Sequence, residues 1–207
     1  MYLCGSANRF VVDHFNNNLW YVLRVTYQRE LIAHDKLKAI GIDCFVPTQR
    51  TRSIDKKGRL IWKDVAALHN YIFVHSTREK IDSIKREYIP WLRYLISPNR
   101  ENGSQIMTVP TRQMESFIAI AGNKEERILY LNPDELNLTN GDRVRVIEGP
   151  FKGAEGVLIK IKHKRDKCVV VKIDGVAAVA TASIPQTLVE KINKLYQDRH
   201  LWAKMCL

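Results

Sequence analysis

The sequence predicts an α+β fold in two parts, a larger domain with a mainly antiparallel sheet and a small C-terminal β-barrel. Three observations carry this reading. Between residues 19 and 121, aromatic and β-branched runs alternate with amphipathic ones in the order β-α-β-β-α-β-β-α. A stretch at 123–137, polar at its start and with the breaker cluster Asn132-Pro133-Asp134, interrupts that pattern as a linker, within which the apolar run Ile128 to Leu131 is able to dock on a neighbour. From Leu138 onward only short strand-like runs remain, separated by glycine turns.

Residues 1–17 read as a polar lead-in. Leu19 to Val25 is aromatic and branched, which suits a buried strand. Residues 28–40 follow as a helix with Leu31, Ala33, Leu37 and Ile40 on its apolar face, stopped by Gly41. Cys44 to Pro47 is extended, and the charge-rich run 50–64 turns at Gly58 as an exposed basic hairpin or loop. His69 to His75 is the next strand. Thr77 caps a helix carrying Ile81, Ile84 and Tyr88, ended by Pro90. Leu92 to Ile96 and Ile106 to Val109 are short strands. Pro110-Thr111 opens a last helix with Met114, Phe117, Ile118 and Ala121 at i, i+3, i+4 and i+7. Beyond the linker, strands are expected at 143–148, 157–162, 167–173, 176–182 and 187–192, with a hairpin at Asp174-Gly175. Five strands in so short a span suit a small SH3-like barrel. The domain bounds are therefore 18–122, linker 123–137, 138–192, and a basic tail 193–207.

Composition narrows the class. The 207 residues carry 33 Lys and Arg against 22 Asp and Glu, a net charge of +11. Such a balance suits a polyanionic partner such as nucleic acid. Residues 18–122 hold 17 basic and 10 acidic groups, so the larger domain carries most of the excess. No run approaches the length of a membrane span, so no membrane contact is expected. A cytoplasmic location and a monomeric state are separate expectations. The four cysteines, Cys4, Cys44, Cys168 and Cys206, are too scattered for zinc or a disulfide framework. The six histidines form no triad or metal spacing, and His69 and His75 read as surface or strand-edge residues. The turn Gly149 to Gly156 lacks the Gly-Lys-Ser/Thr ending of a phosphate loop. The expectation is no catalysis, no metal and no cofactor.

One segment is more specific. Gly141 to Val157, GDRVRVIEGPFKGAEGV, alternates Val144 and Val146 with Arg143 and Arg145 and places glycines at two sharp turns. Val144, Val146 and Phe151 suit a barrel core, and Arg143, Arg145 and Lys152 suit solvent. This segment resembles a KOW motif. Upstream, Trp20-Tyr21-Val22, Phe45-Val46-Pro47 and Asn70-Tyr71-Ile72-Phe73-Val74 resemble the NusG N-terminal (NGN) domain. Their order, followed by KOW, is similar to the NusG/RfaH family of transcription elongation factors. Where housekeeping members carry Phe-Pro-Gly-Tyr, this chain has Leu68-His69-Asn70-Tyr71, which looks closer to RfaH and to UpxY-type antiterminators of capsular polysaccharide operons.

The resemblance implies a non-enzymatic factor whose NGN domain binds the clamp helices of the large RNA polymerase subunit. Pausing or termination is then suppressed, on a specific operon. The matching apolar positions are Tyr21, Phe45, Leu68, Tyr71 and Phe73. A second polymerase contact falls near Ser83 and Lys85. Non-template DNA or nascent RNA would meet Arg24, Arg29, Lys36 and Lys38, and the run Arg50, Arg52, Lys56, Lys57 and Arg59 with Trp62 available to stack. Arg143, Arg145, Phe151, Lys152, Lys164 and Arg165 would meet a ribosomal protein or termination factor. The alternative is a KOW-containing RNA-binding or ribosome-associated structural protein. The runs Val169 to Val171 and Val176 to Val179 favour strands, so a helical form of the second domain is not expected.

Overall fold

A computed structural model of the chain describes residues 18–99, 103–123, 128–131, 141–160, 167–181 and 184–192. The first sheet contains β1 (Leu19–Val25), β2 (Asp43–Phe45), β5 (Tyr71–Ser76), β6 (Leu92–Tyr94) and β9 (Thr108–Val109). Its order is β2-β5-β1-β6, with β9 also on β1, and every pairing is antiparallel. Alternation along the strands divides its side chains between two faces. Tyr21, Leu23, Val25, Ile72 and Val74 pack with Ala33, Leu37, Ile81 and Ile84 of helices α1 (Glu30–Ala39) and α2 (Arg78–Glu87). Trp20, Val22 and Phe73 pack with Met114, Phe117 and Ile120 of α3 (Thr111–Ala121). The sheet is therefore covered on both faces.

The helices start and stop for local reasons. Thr77 accepts the Lys80 N–H at 3.4 Å as the N-cap of α2. Gly41, at φ +73°, turns the chain after α1. Of the expected apolar face of α1, Ala33 and Leu37 are buried and Leu31 packs half-buried against the same core, while Glu30 joins them and Ile40 is exposed. Tyr88, assigned to the apolar face of α2, is exposed, while Ile89 is buried in its place.

The charged run becomes a two-stranded ribbon, β3 (Thr48–Ile54) and β4 (Leu60–Ala66). It pairs with no other described strand. A second small ribbon joins β7 (Ile96–Asn99) to β8 (Gly103–Ile106).

The second sheet has six strands rather than five. Its order is β10 (Leu129–Leu131), β14 (Ala177–Ala180), β13 (Lys167–Ile173), β12 (Glu155–Lys160), β11 (Asp142–Val146) and β15 (Val189–Lys191). The additional strand β10 comes from the stretch read as linker, and it pairs antiparallel with β14. Its register sets Leu129 opposite Ala180 and Leu131 opposite Ala178, which buries the second face of this sheet. Val169, Val171 and Val179 fill one core, and Val170, Ala178 and Ala180 another, so β13 and β14 are apolar on both faces. The domain is a sheet structure, as the valine runs require.

Candidate functional site

Tyr71 and Phe73 share one face of β5, and the structure separates their roles. Phe73 is fully buried, its ring 5.3 Å from that of Phe117 on α3. Phe45 meets the same Phe117 ring edge-on at 6.3 Å. Tyr71, Phe45 and Leu68 are only half-buried at the margin of this cluster. Tyr21 lies on the opposite face, buried and 5.9 Å from Tyr94. The five apolar candidates are thus not one patch. Phe73 and Tyr21 are core residues, because the sheet is covered on both sides, and Tyr71, Phe45 and Leu68 form the accessible rim.

The loop that presents Tyr71 is tied down by a contact the sequence did not signal. Asn70 sits at φ +69°, a left-handed conformation that asparagine tolerates better than most residues. Its N–H donates to the buried Glu30 carboxylate at 2.5 Å, and its carbonyl accepts the Val25 N–H at 2.8 Å. An asparagine thus satisfies the backbone at the position where the resemblance expects glycine.

The basic candidates fall into three groups. Arg24 lies on β1 directly opposite Tyr71 on one side and Arg93 on the other, which makes a row across three strands in which both arginines are exposed and Tyr71 is half-buried. Arg29 lies over the rings of Tyr27 and Trp91, at 5.1 and 5.4 Å, and Lys36 lies over Tyr88 at 5.7 Å. Lys38 is held by Asp43 at 2.9 Å. On the ribbon, Arg50 is 3.7 Å from Asp64, Arg52 covers Trp62 at 5.2 Å, and Arg59 binds Asp55. Lys56 and Lys57 are exposed beside it.

On α2, Ser83 donates to Glu87 at 3.4 Å, and Lys85 is 3.8 Å from Asp82 and 3.9 Å from the centre of the Tyr94 ring. Both already have partners within the domain. Burial pushes the Tyr94 hydroxyl well above its ordinary range, and its hydrogen bond to Asp82 adds to this. His75, expected at the surface or an edge, is half-buried on an interior strand and stacks on Trp20 at 4.9 Å.

In the second domain, Arg143 and Lys152 are exposed, as alternation predicts. Phe151, also nominated as a partner contact, is buried beside Val144 and Val146 and belongs to the core. Lys164 and Arg165 lie outside the described residues. Among the described residues, no group of His, Cys, Asp and Glu could hold a metal ion. No described helix is long and apolar enough to cross a membrane.

Comparison with known proteins agrees with both halves. Residues 18–118 match the family described as transcription termination factor nusG, and residues 140–177 match the KOW motif. Over these two segments the chain is similar to NusG-type proteins that carry a KOW motif. A curated relative, the transcription elongation factor Spt5 of Pyrococcus furiosus, is 33% identical over 90 residues. That alignment covers 44% of this chain and 51% of the relative, so the chain matches about half the length of the relative.

The two family domains touch through α3. Arg112 donates to Glu155 at 2.5 Å, Gln113 donates to the Lys172 carbonyl at 2.5 Å, and the Glu155 N–H donates to Ser116 Oγ at 3.1 Å. Arg145 binds the same Glu155 carboxylate at 2.7 Å. Burial pushes the Glu155 carboxyl up, but the two guanidinium groups outweigh it and hold it below its ordinary range. Helix α3 is therefore clad on one side by the NGN sheet and contacted on another by the KOW domain. The sequence showed only its first stripe. Ser116 and Ile120, buried outside that stripe, are the residues it missed.

Proposed function

We propose that this chain is a transcription elongation factor that binds RNA polymerase through its NGN domain and suppresses pausing or termination. The observation that carries this is an NGN sheet followed by a KOW domain, with an accessible rim of Tyr71, Phe45 and Leu68 beside the Arg24 row. Aromatic residues that offer apolar area and one polar atom suit the tip of a helical hairpin, here the clamp helices. Ser83 and Lys85 are a weaker second contact, since both are engaged within the domain. Arg24, Arg29, Lys36 and the basic ribbon would meet nucleic acid exposed near the polymerase, through phosphate contacts. Arg143 and Lys152 would meet a ribosomal protein or termination factor. The factor breaks no bond. It acts by stabilising one conformation of the polymerase over another.

The sequence Leu68-His69-Asn70-Tyr71, in place of the housekeeping Phe-Pro-Gly-Tyr, supports the specialised, operon-specific branch in this reading. The test is capture of core RNA polymerase by the full chain and by Tyr71→Ala. Loss of capture by the folded variant supports the rim. Equal capture moves the interface elsewhere. No capture by wild type, with salt-sensitive RNA binding instead, favours a KOW-containing RNA-binding or ribosome-associated protein.

A further inference from the structure

We propose that the β3–β4 ribbon is a double-stranded DNA wedge, its apolar pair Ile54 and Leu60 entering a base step from the minor groove while its cations hold the flanking phosphates. This rests on the nucleic-acid reading above and specifies its ligand. Residues directly opposite each other in an antiparallel pair share a face. Here Arg50 opposes Asp64, Arg52 opposes Trp62 and Ile54 opposes Leu60. One face therefore runs from an ion pair, through a guanidinium laid on an indole, to an aliphatic pair at the outer end. Ile54 is 70% exposed, Leu60 68% and Trp62 59%. A two-stranded ribbon that joins no larger sheet gains little from leaving three large apolar side chains in water, so their exposure calls for a partner.

The end of the ribbon is built to keep its shape. Asp55 accepts the N–H groups of Lys57 and Arg59 at 2.8 Å each and the Arg59 Nε at 2.9 Å. The Asp55 N–H returns to the Arg59 carbonyl, and the Gly58 N–H to the Asp55 carbonyl. These bonds, led by the Arg59 backbone, hold the Asp55 carboxyl below its ordinary range. Lys56 and Lys57 are left at the surface of a fixed turn, next to the aliphatic pair.

Charge decides the occupant. Residues 48–66 hold six cations and two carboxylates, which disfavours an apolar protein groove and favours a polyanion. An aliphatic pair flanked by Lys and Arg is the chemistry of side chains that unstack and bend a duplex. It suits single strands less well, because those are gripped by open aromatic faces, and one face of Trp62 is already covered by Arg52.

The test uses the full chain with a duplex carrying 2-aminopurine at a central TA step, and matched single-stranded DNA and RNA as comparators. The expected result is salt-dependent duplex binding with a rise in 2-aminopurine fluorescence as the step unstacks. Ile54→Ser with Leu60→Ser should abolish the rise and keep the salt slope. Lys56→Ala with Lys57→Ala should lower the log-log salt slope by about 2. Circular dichroism of each variant checks that these exposed changes leave the fold intact. Duplex binding without a fluorescence rise overturns the wedge and leaves phosphate contact standing. Preference for either single strand also overturns it. Failure to bind any of the three at low salt removes the nucleic-acid reading itself.

Discussion

Glu155 of β12 accepts a hydrogen bond from Arg112 of α3, so one carboxylate joins the KOW domain to the NGN domain. Arg145 shares it, and the backbone N–H of Glu155 is taken by Ser116 of the same helix. Four groups thus meet where the helix crosses the second sheet.

Glu155→Gln should loosen this seat without unfolding either domain. Arg112 is largely exposed, so the expected loss is about 1 kcal/mol. Small-angle scattering or rotational correlation times of the full chain would show the domains separating. The same seat should depend on acid. A carboxylate held below its ordinary range contributes fully above its unfolded pKa, and that contribution is lost as pH falls through the lower folded value. Titration from pH 7 downward should weaken the seat progressively, starting in the ordinary carboxylate range and ending below the lower folded value. Glu155→Gln should remove this step.

Phe73 and Tyr71 should separate stability from binding. Phe73→Ala removes a fully buried ring packed on Phe117 and should cost about 3–5 kcal/mol in chemical denaturation. Tyr71→Ala removes a half-buried rim side chain and should cost less than Phe73→Ala while reducing polymerase capture. Equal destabilisation by the two would contradict this division.

These residues also show what was legible. The alternation of Tyr71, Ile72, Phe73 and Val74 revealed two faces, but not that α3 closes the one that Phe73 occupies, because that contact spans more than 40 residues of sequence. The same limit hid Ser116. A serine on a helix looks solvated until a second domain supplies the Glu155 N–H. The linker reading of 123–137 rests on Asn132-Pro133-Asp134, which marks a break whatever precedes it. The apolar run Ile128 to Leu131 suggests docking, but that it docks as a strand depends on Ala178 and Ala180, which the local sequence does not show. Local signals, by contrast, are sufficient for other features. Thr77 as a cap, Gly58 and Gly175 as turns, and the valine-rich β13 each follow from their own neighbourhood.

Asn70 should accept glycine and resist alanine. At φ +69°, Asn70→Ala should cost about 1 kcal/mol, and Asn70→Gly should be close to neutral. Glu30→Ala should be worse than either, since it leaves the Asn70 N–H without its acceptor. Thermal denaturation of the three variants orders them.

Cys44 and Cys168 are both buried. Burial pushes the Cys44 thiol up to about 11, so little thiolate is present near neutral pH. Neither residue should be labelled by N-ethylmaleimide in the native protein, and both should be labelled in denaturant. Peptide mass mapping would read this out, and rapid native labelling at Cys44 would contradict its placement.

Gly156 tests the close approach of two strands in the KOW domain. A Cβ there would lie 2.5 Å from the Val170 carbonyl oxygen and 2.8 Å from Val169 Cγ1. The first of these is backbone, and it belongs to the strand paired with β12, so it cannot rotate away. Gly156→Ala must therefore spread β12 from β13, at a cost of about 1–3 kcal/mol. The strain would fall beside Glu155, so the second domain and its seat on α3 should respond together. Amide chemical shifts should move along β12 and β13 and at Arg112 to Ser116, and those of β5 should stay. Unchanged stability would mean that the two strands have more room than this packing allows.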